Sequence, residues 1–453
     1  MAGVVSDKET TPDEPVTLGR DESVTLRRVA GLALPALVVL AAEPLYVLVD
    51  TAVVGHLGRI PLAALAVGGV VLGLAAWFGA VIAYGTTGRA ARHFGAGDRG
   101  AAVAEGVQAS WLALALGTGM LIGIEALAGP IAGTLAGNSE VASAAAGWLR
   151  IAALGIPGLL LATAGNGWLR GVQDTRRPLR YVLGANLLSA GLGPLLVYGA
   201  GLGLSGSAIA NAVAQTVSGL LFVRALVVER AALRPHPALI RAQLVVGRDL
   251  VLRGAAFQAC FLSATAVAGR FGTSALAAHQ IALQLWMFCS LALDAVAIAA
   301  QSLVGAALGA GRAEQAKRLA RRVALIGLVS GTAFGVLVLA GAVAVPRLFS
   351  ADPQVYAQAM RAWPWFVAMQ PLAGVVFALD GVLIGAGDLR YLRDLTIGAA
   401  VFGFLPAIWL AYGLRLGLGG VWAGLTLFIV IRLVTALARL RTGRWAVTGA
   451  TRT

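Results

Sequence analysis

Glu43 and Asp50 stand inside one of the most apolar stretches of the chain, GLALPALVVLAAEPLYVLVDTAVVGHLG at residues 31–58. They lie seven positions apart, close to two helical turns, so both carboxylates can face one side of a helix. An acid in hydrocarbon must find a partner, a cavity or a proton, which makes the pair a candidate proton or cation site. Glu43 has an alternative role in bonding a neighbouring helix. Pro35 and Pro44 interrupt the same stretch and are expected to bend it.

The elements that must hold these acids are membrane helices. The chain has 453 residues, 58% of them hydrophobic and 12% charged, and apolar runs near 20 residues recur along it. The runs do not alternate, which excludes a barrel of half-polar strands. Twelve spans are expected, near 29–54, 62–88, 104–127, 141–163, 179–199, 204–228, 246–269, 275–303, 321–341, 355–380, 393–413 and 417–440. Residues 1–28 read as a disordered tail without a signal peptide, 230–244 as a linker between two lobes (29–229 and 245–440), and 441–453 as a second tail.

The formal charge of +14 resolves into topology. With the N-terminus cytoplasmic, twenty-nine of the 35 Lys and Arg fall on that side, which places both termini in the cytoplasm. Nucleic-acid binding would need the charge on one face of a soluble domain. Cys260 and Cys289 form no disulfide scaffold, and His56 and His279 have no ligand-like spacing, so no metal or other cofactor is expected. No Walker or dinucleotide motif is present, so neither an enzyme nor ATP-driven transport is indicated.

An internal repeat organises the whole. TAVVGHLGRIPLAAL (51–65) returns as TAVAGRFGTSALAAH (265–279), a shift of 214, and the same shift superposes Gly95 on Gly309, Pro157 on Pro371, Gly167 on Gly381 and Gly171 on Gly385. Six spans follow six in the same orientation, a parallel repeat of the kind in which two bundles enclose a transport path. Asp50 meets Ala264 and Glu43 meets Phe257, so neither acid is repeated. Asp294 in turn meets Ala80. With Gln258, Gln280 and Gln284 it gives the C-terminal bundle polar groups that suit either substrate contact or a structural network.

EPLYVLVDTAVVGHLG (43–58), ALAAHQIALQ (275–284) and the paired loops GAGDRG and GAGRAE resemble the multidrug and toxic compound extrusion (MATE) family, DinF-type subgroup, over nearly all of the chain after residue 28. The resemblance implies an all-α fold of twelve helices in two six-helix bundles. It implies cation-driven export of amphipathic, often cationic solutes across the bacterial inner (plasma) membrane by a monomer in contact with lipid. Asp50 matches the family's essential first-helix aspartate and Pro35 its helix-bending proline. The fifth-helix positions that hold an Asn and an Asp in members with a richer cation site correspond to Ser189 and Gly193. Asn211 replaces a sixth-helix Thr, and Asn186 and Gln215 are nearby polar candidates. Loss of the second carboxylate favours a proton over sodium as coupling ion, since sodium wants several oxygen ligands and a proton needs one titratable group. The competing readings are sodium-coupled export and a flippase for a lipid-linked precursor, the latter disfavoured by few basic residues inside the spans.

Overall fold

The structure is a computed structural model that describes residues 26–451. The tail assigned to residues 1–28 lies outside the described residues up to position 25; from Leu26 the chain is already helical.

Among the described residues eleven helices are long and apolar enough to cross a membrane, and a bent pair supplies a twelfth span. Spans 1 to 6 are Leu26–Gly55, Arg59–Gly95, Arg99–Leu135, the pair Ser139–Ala153 and Ile156–Gly171, Arg176–Gly199 and Leu204–Val228. Spans 7 to 12 are Pro237–Arg270, Thr273–Gly309, Ala313–Ala340, Pro353–Gly385, Leu389–Gly413 and Gly417–Thr442. Most run several residues past the apolar limits read from the sequence, because the ends are amphipathic or Arg-rich turns that hydropathy leaves out. Span 1 stays helical through Pro35 and Pro44. Span 4 is bent by 49° at the break before Pro157. A π-type turn follows Pro194 in span 5, and another precedes Pro406 in span 11, where a ring without an N–H shifts the backbone register.

The repeat holds to the residue at both ends of the second span of each lobe. Span 2 and span 8 begin at 59 and 273 and stop at 95 and 309, each shifted by 214. The turn after them takes a left-handed residue at Gly97 (φ 81°) and Gly311 (φ 75°). The paired glycines mark paired crossings. A Cβ at Gly167 would sit 2.7 Å from the carbonyl oxygen of Ala83, and one at Gly381 would sit 2.1 Å from that of Ala297, the partner position 214 residues on. Small residues thus let span 4 approach span 2, and span 10 approach span 8, backbone to backbone.

The two six-span lobes share a hydrophobic core only in the halves nearer the chain ends, where Val29, Leu32 and Val81 pack with Val304, Leu308 and Leu383. Farther out each lobe has a core of its own, around Trp148 and Ile156 in one and Phe366 and Trp422 in the other. Polar clips cross the shared half: Gln301 Nε2 donates to the Tyr84 carbonyl at 2.6 Å, and Ser302 Oγ to the Arg170 carbonyl at 2.8 Å.

Several boundaries differ from the sequence reading. Pro237 opens span 7 inside the stretch 230–244 assigned to the linker, because a proline at the first helical turn forfeits no hydrogen bond. What is left of the linker is fastened to span 3, where Trp111 Nε1 donates to the Leu233 carbonyl at 2.8 Å and Gln108 Oε1 accepts from the His236 amide at 2.8 Å. The described part of the C-terminal tail is docked too. Trp445 is buried, and Arg92 of span 2 donates to the carbonyls of Gly449 (3.1 Å), Val447 (2.5 Å) and Ala386 (2.9 Å). Arg170, expected just after span 4, lies within it, because the apolar window stops short of the true helix end; Arg253 and Arg432 lie inside spans 7 and 12, as the expected windows 246–269 and 417–440 already had them.

Candidate functional site

Spans 1, 2, 4 and 6 enclose an outer chamber of about 710 Å³ within the N-terminal lobe. Glu43, Tyr46 and Asp50 reach it from one face of span 1, at intervals of three and four residues. Asp50 is buried, and Ser207 Oγ of span 6 donates to its Oδ1 at 2.7 Å. Asn211, one turn further along span 6, donates through Nδ2 to the Tyr46 hydroxyl at 3.2 Å, and Ser189 of span 5 is buried beside the same tyrosine. Among the described residues no Lys, Arg or His lines this chamber, so its two carboxylates face apolar walls and a few amides and hydroxyls.

An inner chamber of about 220 Å³ lies nearer the chain ends and shares Glu43, Ala76, Leu159 and Gln215 with the outer one. Its lining includes Asn166, Arg170, Asn186 and Tyr84. Glu43 therefore stands at the junction of the two, with Asp50 on the outer side and Arg170 on the inner.

The expected residues of the N-terminal lobe come together as a set: Asp50, Glu43, Asn211 and Gln215 line the outer chamber, Asn186 the inner one, and Ser189 the wall behind Tyr46. Those of the C-terminal lobe do not. Gln258, Gln280 and Gln284 are exposed and line neither chamber. Asp294 sits at the seam between lobes, where its carboxylate accepts from the Tyr84 hydroxyl of span 2.

Sequence reasoning missed Ser207, whose only signal was a small polar residue one turn before Asn211. It also missed a buried ion cluster in the C-terminal lobe. Asp380 of span 10 accepts from Arg253 at 2.5 Å and from Arg432 at 2.6 Å, and both guanidiniums lie over the Phe257 ring. Tallying these arginines only with the charges of the terminal face concealed it. Among the described residues no cluster of His, Cys, Asp and Glu could hold a metal ion.

The family model for MatE matches residues 35–195 and again residues 250–409, once in each lobe. The chain belongs to the MATE family. It is a multi-pass membrane protein and a MATE-type secondary transporter rather than an enzyme. It is similar to Protein DETOXIFICATION 44, chloroplastic, of Arabidopsis thaliana, with 32% identity covering 92% of this chain and 83% of that one. The DinF-type likeness is carried by the DNA damage-inducible protein F of Escherichia coli strain K12, 31% identical over 91% of this chain and 92% of that one. The fold matches that of a MOP superfamily transporter from Pyrococcus furiosus with a TM-score of 0.81 at 22% identity, covering 94% and 97% of the two chains. The two MATE matches coincide with the two lobes, so the repeat read from glycines and prolines is the family's own.

Proposed function

We propose that this MATE protein exports amphipathic, cationic organic solutes across the plasma membrane in exchange for protons, with Asp50 as the proton-binding carboxylate. The observation that carries the reading is the placement of Asp50: a buried acid on the wall of the outer chamber, hydrogen-bonded by Ser207 and facing no basic side chain among the described residues. Such a group can hold a proton or a substrate cation, and competition between the two is the simplest antiport cycle. A relative named for detoxification supports a toxic-solute cargo. The basic residues of the terminal face support a cytoplasmic location for both chain ends. With the lobes packed together on that side, Asp50 is poised to load from outside.

Sodium is the weaker reading for the coupling ion. It needs several oxygen ligands, and among the described residues the one side chain hydrogen-bonded to Asp50 is that of Ser207. Purified protein in sealed vesicles, given a pH step and then a sodium step of equal size, distinguishes the two. Dye movement that follows protons and ignores sodium is the expected result; the reverse overturns the proton assignment.

A further inference from the structure

Spans 6 and 12 end on repeat mates, Val228 and Thr442, yet the segments that follow them take different courses. Residues 229–236 lie back on span 3 of their own lobe. Trp111 holds them there, and so does Gln108, which donates to the Arg234 carbonyl at 3.1 Å and accepts from the His236 amide. The mates of Trp111 and Gln108 in span 9 are Leu325 and Arg322, an apolar side chain and a guanidinium, neither of which can accept from an amide N–H.

Residues 443–451 turn to the seam between the lobes instead. Trp445 is 1% exposed and packs in the shared core, its Nε1 donating to the Leu440 carbonyl at 3.2 Å. The Gly449 amide donates to the Leu308 carbonyl of span 8 at 3.0 Å, with the glycine at φ 116°. These contacts anchor the segment to the C-terminal lobe. From there it reaches the other lobe: the Val447 and Gly449 carbonyls both accept from Arg92 of span 2, which also donates to the Ala386 carbonyl just past span 10. Arg92 is 3% exposed, and its repeat mate is Ala306, so the linker has no equivalent side chain to meet. Under the segment lies a cavity of about 80 Å³ lined by Tyr84, Gly88, Arg92 and Ile384 and by Ala450 and Thr451 of the segment itself. Residues 450 and 451 thus form part of the wall over the seam.

Hydrogen bonds from a guanidinium are stronger than neutral ones, and more so away from water. When the lobes part, Arg92 moves with span 2, whereas Leu308, Ala386 and Trp445 stay with the C-terminal lobe. The segment can follow one lobe only, and its anchors lie in the second. The bonds that must break are those to Arg92.

We propose that residues 443–451 are a strap that Arg92 fastens across the seam, so that opening of the terminal face requires the strap to leave Arg92 in each transport cycle. The strap acts whatever the cargo or the coupling ion, and it biases the resting protein toward closure on this face.

The test reads the separation of the lobes directly. Nitroxide labels on cysteines replacing Arg176 and Arg390, exposed repeat mates at the starts of spans 5 and 11, give that separation by double electron–electron resonance in the full-length chain lacking Cys260 and Cys289. Arg92→Ala removes the receiving side chain. Gly449→Pro removes the amide donor and forbids a positive φ, and it lies beyond the last span, so the fold of the lobes does not depend on it. Each variant is expected to raise the ratio of open to closed protein about tenfold, the effect of losing a hydrogen bond to a charged group. Because both act on one contact, the double variant should match the larger single effect rather than the product of the two. A wild-type distance distribution in monodisperse Gly449→Pro would show that Arg92 closes the seam through Ala386 without the strap. A double variant that multiplies the single effects would show two independent contacts. Either result overturns the proposal.

Discussion

Gly95 and Gly309 occupy the same place in the two halves of the repeat, and each lies against the backbone of the other's helix. A Cβ at Gly95 would fall 1.9 Å from the Ala306 carbonyl oxygen, and one at Gly309 would fall 1.9 Å from that of Arg92. Ala306 is itself Arg92 shifted by 214, so the two contacts are one contact exchanged by a pseudo-twofold axis between spans 2 and 8. Closure of the terminal face depends on these glycines. Alanine at either position cannot be accommodated without the lobes parting, a strain of about 1–3 kcal/mol. Gly309→Ala is expected to raise the population open on the terminal face by about fivefold or more. Alkylation of a cysteine introduced at Ala91, in a background lacking Cys260 and Cys289, reports it; unchanged reactivity would show that the seam yields without opening.

Asp50→Asn is expected to abolish proton-driven export while leaving the fold intact. Asn keeps the size and can still accept from Ser207, but it cannot cycle between charged and neutral forms. Ser207→Ala should be milder, costing about 1–3 kcal/mol in the hydrogen-bonded state and shifting the pH dependence of transport rather than ending it. Glu43→Gln should fall between them. Substrate-induced proton release, measured at matched amounts of monodisperse protein, ranks the three. Wild-type release by Asp50→Asn would defeat the assignment.

Tyr84 and Asp294 join span 2 to span 8, and so belong to the machinery of lobe closure, although Tyr84 also lines the inner chamber. Tyr84→Phe removes the donor and leaves Asp294 without that bond, which should favour the state in which the lobes have separated at this face. The cysteine-accessibility measurement described for Gly309→Ala should respond in the same direction, by a smaller amount. A change in dye selectivity with no change in accessibility would return Asp294 to the substrate site.

Much of this architecture was legible because membrane helices are written in two plain signals, apolar length and repeat spacing. The shift of 214 aligned the lobes correctly, and the absence of a partner for Asp50 in the second half pointed to the outer chamber. The placement of Asp294 was not legible: a carboxylate on a helix reads the same whether it lines a cavity or meets another lobe. Arg170 was misplaced for a related reason. Hydropathy assigns an arginine at the edge of an apolar run to the nearest loop, whereas the helix Ile156–Gly171 carries Arg170 inward as a buried residue. The missed Ser207 shows a further limit, since a hydroxyl becomes part of a site only through the fold that brings span 6 against span 1.

The Arg253, Asp380 and Arg432 cluster makes a stability prediction. Asp380 is 6% exposed and Arg432 is 1% exposed, so removing the carboxylate strands two guanidiniums away from water. Asp380→Asn is expected to cost about 3–5 kcal/mol, the range for breaking a buried ion pair by deleting one member. Replacing Arg432 by Met in the same chain should recover part of the loss by restoring the balance with Arg253. Thermal denaturation midpoints in detergent test the order: a double variant less stable than Asp380→Asn would show that Arg432 acts through packing on Phe257 and Phe428 rather than through charge.

Glu229, just past the end of span 6, ties three elements of the N-terminal lobe together. It accepts from Arg99 at 2.8 and 3.0 Å and from Arg177 at 3.1 Å. The Arg99 hydrogen bonds hold its carboxyl below the usual glutamate range, against the opposing effect of partial burial and with help from Arg177. A carboxylate whose folded pKa lies below its unfolded value stabilises the fold above the unfolded pKa, about 4.3, and loses that contribution as pH falls through the folded pKa. Wild-type protein should therefore exceed Glu229→Gln in stability at neutral pH, and the difference should shrink as the pH is lowered through 4 and below. Other carboxylates titrate in the same window, so the measured quantity is the gap between the two proteins, read from denaturation midpoints at a series of pH values. A gap that stays constant down to about pH 3 would mean that the contact with Arg99 and Arg177 does not depend on the charge of Glu229.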